Sequence, residues 1–165
     1  MNISQMKEIE DLKEQAAIQG SKASALFNSN VTPLLKKYEQ DLVKSIEKHF
    51  ESSGFEIKKN YQNQNLSAQY KELIFKVTVN SNSIMITNGS KLIGHVYITY
   101  KSFKGATSYL LPNDEFLAEK TKIEKDQIRS EKNIEYYTNP EVYYEESGKK
   151  LNSPEEVLKG LKDFF

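Results

Sequence analysis

Alternating apolar and polar residues mark the middle of the chain as a β-sheet. Residues 73–79 place an apolar side chain at every second position, which is the period of a strand with one buried face. Residues 84–87 and 92–100 follow as two more runs rich in β-branched and aromatic residues. The dipeptide Asn88-Gly89 between those two runs is typical of a tight hairpin turn. The three runs therefore predict an antiparallel meander.

The first 53 residues have the apolar spacing of helices instead. A heptad-like seam opens the chain, and it consists of Ile9, Leu12, Ala16, Ala23 and Leu26. A wider apolar stripe follows Thr32-Pro33, a pair that is typical of a helix start. We predict either one long helix with a break at 28–33 or a helical hairpin, and the seam predicts a homodimer.

The last third of the chain combines a charged helix, a tyrosine-rich segment and a short capped helix. Residues 113–133 are rich in charge and begin with residues that cap a helix, and four tyrosines follow within 134–144. Ser153-Pro154-Glu155-Glu156 supplies a serine cap, a proline and two acidic residues, which together favour a helix start. The apolar face of this last helix would include Phe164 and Phe165.

These elements predict an α+β fold in a single domain, 1–165. We expect a helical region over 1–53, packed on an antiparallel meander sheet of about five strands over 54–112. Residues 55–59 and 106–111 are predicted as the first and last of those strands. The charged helix, the tyrosine-rich segment and the capped helix complete the chain over 113–165.

Charge is balanced overall but uneven along the chain. The 23 basic residues equal the 23 acidic residues in number, yet residues 54–112 carry seven lysines and only two acids. A basic sheet between more acidic flanks would suit self-association, docking of the acidic tail on the sheet, or an anionic partner. Solvated charge with no partner is the plainer interpretation.

No residue pattern commits the chain to a chemistry. Cysteine is absent and the only histidines are His49 and His95, which excludes thiol chemistry and the common zinc sites. Glycine-rich phosphate loops and Gly-x-Ser-x-Gly are also absent. Glu56 and Lys58 have a spacing found in metal-dependent nucleases, but the sheet region offers only Glu72 as a further acid. We predict no metal and no cofactor, and we rank an enzyme of unrecognised type third among the functions.

By exclusion, the leading hypothesis is a non-enzymatic protein-binding module, an adaptor or inhibitor that covers or bridges a macromolecular partner. The candidate contacts are the N-terminal helices and a group of tyrosine and glutamate side chains: Tyr136, Tyr137, Tyr143, Tyr144 and Glu145. Packing of these rings against the sheet is an equal alternative. Small size and lysine-heavy composition suit a phage or mobile-element protein.

Nucleic-acid binding on the basic sheet face is the alternative function. Lys91, Tyr97, Lys101 and Lys104 could combine base stacking with phosphate contacts. The single arginine, Arg129, counts against a reader of specific base sequences. Alternation along the strand puts Tyr97 and Tyr100 on opposite faces, so these two rings do not share a platform.

The expected location of the protein in the cell follows from two kinds of segment that the sequence lacks, a membrane span and a signal peptide. No run is long and apolar enough for a membrane span, and the N-terminus lacks the layout of a signal peptide. We therefore expect a cytoplasmic protein without a membrane partner.

Overall fold

The computed structural model describes residues 1–105 and 109–161. Its elements in chain order are α1 (Ile3–Leu26), a π-helical turn (Phe27–Val31), α2 (Thr32–Ser52), β1 (Glu56–Lys59), β2 (Leu66–Tyr70), β3 (Leu73–Asn80), β4 (Ser83–Asn88), β5 (Lys91–Tyr100), α3 (Glu115–Thr138), β6 (Val142–Glu146), β7 (Lys149–Leu151) and α4 (Pro154–Gly160). The fold is α+β, as the sequence predicts.

Contacts within the chain divide it into two compact units. We name Met1–Pro33 with Lys101–Glu141 the helical unit, and Leu34–Tyr100 with Val142–Phe165 the sheet unit. This division does not test the predicted single domain over residues 1–165, which stays a prediction.

The sheet is an antiparallel meander in which each strand lies beside its neighbours in sequence. The strand order is β1 to β7, and all pairings between described strands are antiparallel. Asn88 pairs with Lys91, so the turn residues of the predicted hairpin are Gly89 and Ser90. Gly89 has a φ of 59°, a conformation that glycine adopts without steric cost. The hairpin is confirmed, with its turn one residue further along than Asn88-Gly89.

The predicted number of about five strands is wrong, because the sheet has seven. The sequence pattern did not reveal β2, which follows the polar loop, or β6 and β7, which follow α3. A strand was also expected at 106–111: residues 106–108 lie outside the described residues, and 109–111 are not in a strand. The edge of β5 is instead paired with β6, whose buried Val142 and Tyr144 alternate with the half-buried Tyr143 and Glu145.

Within the sheet unit, two helices cover the same face of the sheet. The ring of Phe50 in α2 lies 5.2 Å from that of Phe75 in β3, measured between centroids. Leu161, at the end of α4, packs directly on Gly94 of β5, where an added Cβ would lie 2.6 Å from Leu161 Cδ2. Strand pairing places Phe75 and Gly94 on one face. The capped start of α4 is confirmed, with Ser153 Oγ accepting from the Glu156 N–H, whereas Phe164 and Phe165 lie outside the described residues.

Tyr144 joins β6 to α2 inside this core. It is 1% exposed, and its ring centroid lies 5.2 Å from that of Tyr38. Its hydroxyl donates a 2.8 Å hydrogen bond to the backbone carbonyl oxygen of Tyr38, which has two lone pairs. Burial raises the pKa of Tyr144 well above its ordinary value, and the Asp41 carboxylate acts in the same direction to a smaller extent.

The N-terminal region is one continuous helical stretch and not a hairpin. At the predicted break, the N–H of Thr32 donates to the carbonyl of Phe27 five residues earlier, which is the hydrogen bond of a π-turn. Pro33 follows at once and has no N–H to donate. The wider turn accommodates the proline while the backbone stays helical on both sides.

The helical unit is built on a parallel pair, α1 and α3. The amino group of Met1 lies 3.8 Å from the Glu115 carboxylate at one end of the pair. At the other end, the rings of Phe27 and Tyr137 meet edge to face with centroids 5.4 Å apart. Low residue numbers of α1 therefore match low numbers of α3, so the helices run in the same direction.

The predicted dimer seam lies inside this pair. Ile9 and Ala23 are buried and Leu12, Ala16 and Leu26 are half-buried, while α1 makes its helix contacts with α3 of the same chain. A facing heptad-spaced row in α3 consists of Phe116, Lys120, Ile123, Gln127, Ser130, Ile134 and Tyr137. The seam is occupied within the chain, so a homodimer through it would have to displace α3.

Ile123 of α3 should contribute far more to the stability of the fold than Ile128, because only Ile123 is buried. Ile123→Ala removes a side chain that is 9% exposed, and we expect a loss of about 2–4 kcal/mol in the free energy of unfolding. Ile128→Ala, at a 49% exposed position, is the matched control and should cost about 0.5 kcal/mol or less. Urea denaturation followed by circular dichroism measures both, and equal losses would contradict the α1–α3 seam.

Tyr144→Phe should lower the free energy of unfolding by about 1 kcal/mol, because it removes the hydroxyl that donates a hydrogen bond to the Tyr38 carbonyl oxygen. The raised pKa predicts a second effect: the unfolded tyrosine ionises near pH 10.0, whereas the folded one resists ionisation. The stability from this group is therefore complete below that pH and is lost as the pH rises above it.

The variant should consequently lose less stability than the wild type between about pH 9 and pH 11. Tyr143→Phe is the control, since the Tyr143 side chain points to the other face of the sheet. Midpoints of urea denaturation, measured over this pH range, test the prediction. If stability fell with pH equally in the wild type and in Tyr144→Phe, the Tyr144 hydroxyl would not be buried in the folded protein.

Candidate binding surfaces

Within the sheet unit, one face of the sheet carries neither α2 nor α4. Side chains alternate along each strand, and α2 and α4 lie on the face of Phe75 and Gly94. The other face, which we name the open face, includes Lys58, Ser67, Lys76, Thr78, Met85, Thr87, His95, Tyr97, Thr99, Tyr143, Glu145 and Lys150. Tyr97 is 49% exposed there.

Three rings gather on the open face. His95 and Tyr97 follow one another on the same side of β5, with ring centroids 4.4 Å apart and the Tyr97 hydroxyl oxygen 3.3 Å from His95 Nδ1. Tyr143 of β6 pairs with Thr99, so it lies diagonally beside Tyr97. The Lys150 ammonium nitrogen lies 4.6 Å from the centroid of the Tyr143 ring. The rings and this cation form one cluster on adjacent strands.

The imidazole of His95 keeps one polar atom without a partner. Its Nε2 is buried and makes no hydrogen bond with any described residue. A buried polar atom in this state costs free energy, on the order of 1–3 kcal/mol. No hydrogen bond of Nε2 therefore accounts for a histidine at position 95.

Lysines line a shallow cavity at the other end of the open face. Lys58, Ser67 and Lys76 form one row across β1, β2 and β3. They border a cavity of about 310 Å³ whose other lining residues include Asn60, Asn65, Thr78 and Lys59. Lys59 forms an ion pair with Glu47, whereas Lys58 and Lys76 form no ion pair within the described part of the chain. The row offers uncompensated positive charge.

The residues predicted for nucleic-acid binding belong to both units. Tyr97 and Lys91 belong to the sheet unit, with Lys91 exposed at the start of β5. Lys101 and Lys104 belong to the helical unit. There Lys101 lies over the ring of Tyr136 at 5.4 Å, and Lys104 borders a separate cavity of about 500 Å³.

The residues of the predicted tyrosine surface also belong to both units. Tyr136 and Tyr137 are half-buried in the last turns of α3, because this helix continues to Thr138, beyond its predicted end at about 133. Tyr143 and Tyr144 are consecutive in β6 and so face opposite sides of the sheet. Tyr144 is a core residue, as its exposure and its hydrogen bond show, and it is not available to a partner.

Tyr143 and Glu145 are the members of that group on the open face. Glu145 pairs in register with Tyr97 on one side and with Lys150 on the other. Sequence reasoning missed the position of Tyr143 beside Tyr97 and His95 and the alignment of Lys58 with Lys76 across Ser67. The alternation at 142–146 was the available signal for β6, whereas the lysine row depends on cross-strand pairing.

A second surface lies at the N-terminal end of the parallel helix pair. Four large apolar side chains there are exposed: Met1, Ile3 and Met6 from the start of α1, and Leu117 from the first turn of α3. The contact between Met1 and Glu115 brings the two helix starts together. We name this group the apolar tip. Sequence alone did not reveal it, since its two halves lie more than 100 residues apart.

Acids and histidines in the part of the chain that the structure describes do not gather into a metal site. No group of three or more such side chains there could hold a metal ion. Glu56 and Lys58 lie on one side of β1 as their spacing predicts, while Glu72 lies in the turn between β2 and β3.

Comparison with protein-family models, curated protein sequences and solved structures gives no significant match to this chain. Over the described residues, no helix combines the length and apolar character that crossing a bilayer requires.

His95→Phe should change the free energy of unfolding by no more than about 1 kcal/mol, because it removes the unpaired Nε2, keeps a ring beside Tyr97 and loses only the exposed contact of Nδ1 with the Tyr97 hydroxyl. Chemical denaturation with fluorescence detection measures the change. A decrease of more than about 1 kcal/mol would mean that Nε2 also has a stabilising polar contact.

Proposed function

We propose that this chain is a non-enzymatic protein-binding module whose apolar tip docks on an apolar surface of a partner protein. An adaptor and an inhibitor would both act in this way, by occupying a surface of the partner. Neither role requires a reaction or a cofactor.

The distribution of apolar side chains between the units carries this proposal. Of the 21 buried apolar residues in the described part of the chain, four lie in the helical unit: Ile9, Ala23, Val31 and Ile123. The same unit holds nine of the 15 exposed large hydrophobic residues, and four of these nine form the apolar tip. An exposed apolar group of this size is typical of an interaction site.

Two lysines near the apolar tip are paired with acids of the helical unit. Lys120 is hydrogen-bonded to Glu8 at 2.6 Å, and Lys13 contacts both Glu119 and Glu10. These bonds raise the pKa of each lysine, with Glu119 the larger influence on Lys13. The charge of both cations is therefore compensated within the unit, which makes them weak contacts for an anionic surface.

The exposure of individual tip residues indicates that they do little for the fold. Ile3 is 79% exposed and Met6 is 52% exposed, so neither side chain is buried within the chain. Replacement of such side chains by charged ones should leave the fold intact and remove the apolar contact with a partner. This separation of folding from binding makes the proposal testable.

The test compares partner retention by the wild type and by the double variant Ile3→Glu/Leu117→Glu. Each protein is immobilised, incubated with a lysate of the source organism and analysed by quantitative mass spectrometry. A specific partner should be retained by the wild type and reduced at least tenfold with the double variant, since two buried side chains of this kind are worth about 1.5–3 kcal/mol each. The complex is then rebuilt from purified components.

Ile18→Glu is the matched control, because Ile18 is an exposed isoleucine of α1 about 22 Å along the helix from Ile3. It should retain the partner as the wild type does. A partner that this control fails to retain, or that the double variant still retains, contradicts the proposal. Sedimentation that showed a dimer dissolved by the double variant would make a second copy the occupant, which also contradicts it.

A further inference from the structure

The open face offers a second and independent site. We propose that it binds single-stranded nucleic acid, with bases stacked on Tyr97, His95 and Tyr143 and phosphates held at the row of Lys58, Ser67 and Lys76. This site differs in location and in residues from the apolar tip, and neither proposal requires the other.

The rings of the open face form a fixed stacking surface. Tyr97 is half exposed on β5, and β5 is held between β4 and β6, so its backbone is fixed on both sides. The stack with His95 and the diagonal position of Tyr143 place π-faces on neighbouring strands. Unpaired bases stack on such rings with little regard to sequence, and each is worth about 1–3 kcal/mol. A ring that served only the core would be covered, and the ring of Tyr97 is not.

The lysine row supplies positive charge for phosphates. Lys58 and Lys76 form no ion pair with a described residue, and Ser67 between them adds a hydroxyl that can donate to an oxygen. Two strand spacings separate these lysines by about 10 Å. The acids of the open face include Glu56 and Glu145, and neither forms an ion pair with Lys58 or Lys76. A polyanion is the complementary ligand.

The rings and the lysine row lie on one continuous face. Thr78 and Met85 fill the positions between Lys76 and His95, and Met85 pairs directly with His95. The distance from β1 to β6 is five strand spacings, about 24 Å. A strand of several nucleotides spans this distance, so one ligand can reach the stacking site and the phosphate site together.

The same residues argue against a duplex and against base-specific recognition. A paired base keeps its π-face within the helical stack, so it cannot lie on Tyr97. The only arginine of the chain, Arg129, belongs to the helical unit and is bound to Asp126 at 2.8 Å. Bidentate arginine contacts with base edges are therefore missing from the open face, and we expect weak preference among base sequences.

The test is fluorescence anisotropy with the full chain and a labelled oligothymidine of about twelve nucleotides. Binding should weaken steeply as salt is added, because counterions are released from the phosphates. Tyr97→Leu should reduce affinity roughly tenfold by removing a stacking ring. Lys76→Gln should reduce both the affinity and the salt dependence, and the slope of log K against log salt should fall by about 0.7 for each phosphate that the variant no longer neutralises.

Two matched controls carry the same chemical changes elsewhere. Tyr61→Leu removes a tyrosine that is more exposed than Tyr97 but lies in the loop before β2, and Lys48→Gln removes a lysine of α2. Both should bind the oligonucleotide as the wild type does. Circular dichroism verifies that each variant is folded, and the double tip variant should also bind normally.

Two competing ligands complete the design. A duplex of equal length and a polyglutamate peptide of about twelve residues should both bind at least tenfold more weakly than the single strand, because neither offers unpaired bases. Equal binding of polyglutamate would mean that the face attracts any polyanion, and equal binding of the duplex would mean that stacking is not used. Either result overturns the proposal, as does failure of the wild type to bind.

A measurement on the wild-type protein guards against a misfolded Tyr97→Leu variant. Ring protons of Tyr97, His95 and Tyr143 should shift in NMR spectra as the oligothymidine is added, while those of Tyr61 stay in place. Rings of the open face that do not respond at saturation would overturn the stacking model.

Discussion

Burial of one sheet face beneath two helices is the constraint on which the sheet unit depends. Phe50 of α2 packs on Phe75, Leu161 after α4 packs on Gly94, and Tyr144 reaches α2 with its hydroxyl. Side chains alternate along a strand, so this arrangement also determines which residues remain on the other side. Stability and the composition of the open face thus have a common origin: the same register that buries Tyr144 places Tyr143 on the open face.

The helical unit follows a different principle. Its parallel pair has a seam in which alanine, glutamine, serine and lysine replace many of the large apolar residues that stabilise a strong coiled coil. Ion pairs such as Lys120–Glu8 lie beside this seam, but exposed ion pairs add little stability. Large apolar side chains concentrate instead at one end of the pair, where they remain exposed. This pattern is typical of a surface that serves contact with another molecule more than internal packing.

The two proposed surfaces have opposite chemistry, which makes their functions separable. The apolar tip has methionine, isoleucine and leucine side chains among charges that are engaged with one another. The open face has aromatic rings beside lysines without ion-pair partners in the described chain. A chain with both would join a protein partner to a nucleic acid, and each contact depends on residues that the other does not use.

Periodicity alone determined much of this fold. Alternation at 73–79 and 92–100 specified strands, the three-to-four spacing at 3–52 specified helix, and Ser153-Pro154 specified the start of α4, because each is a local preference of the backbone. Sequence could not assign a partner to the seam of Ile9 and Leu26, since the facing row in α3 is partly polar and lies more than 100 residues away. It also underestimated the sheet, because β6 is separated from β5 by a whole helix. Only tertiary pairing placed Tyr143 beside Tyr97 and Lys58 in line with Lys76, since strand register is set by long-range packing and not by local pattern.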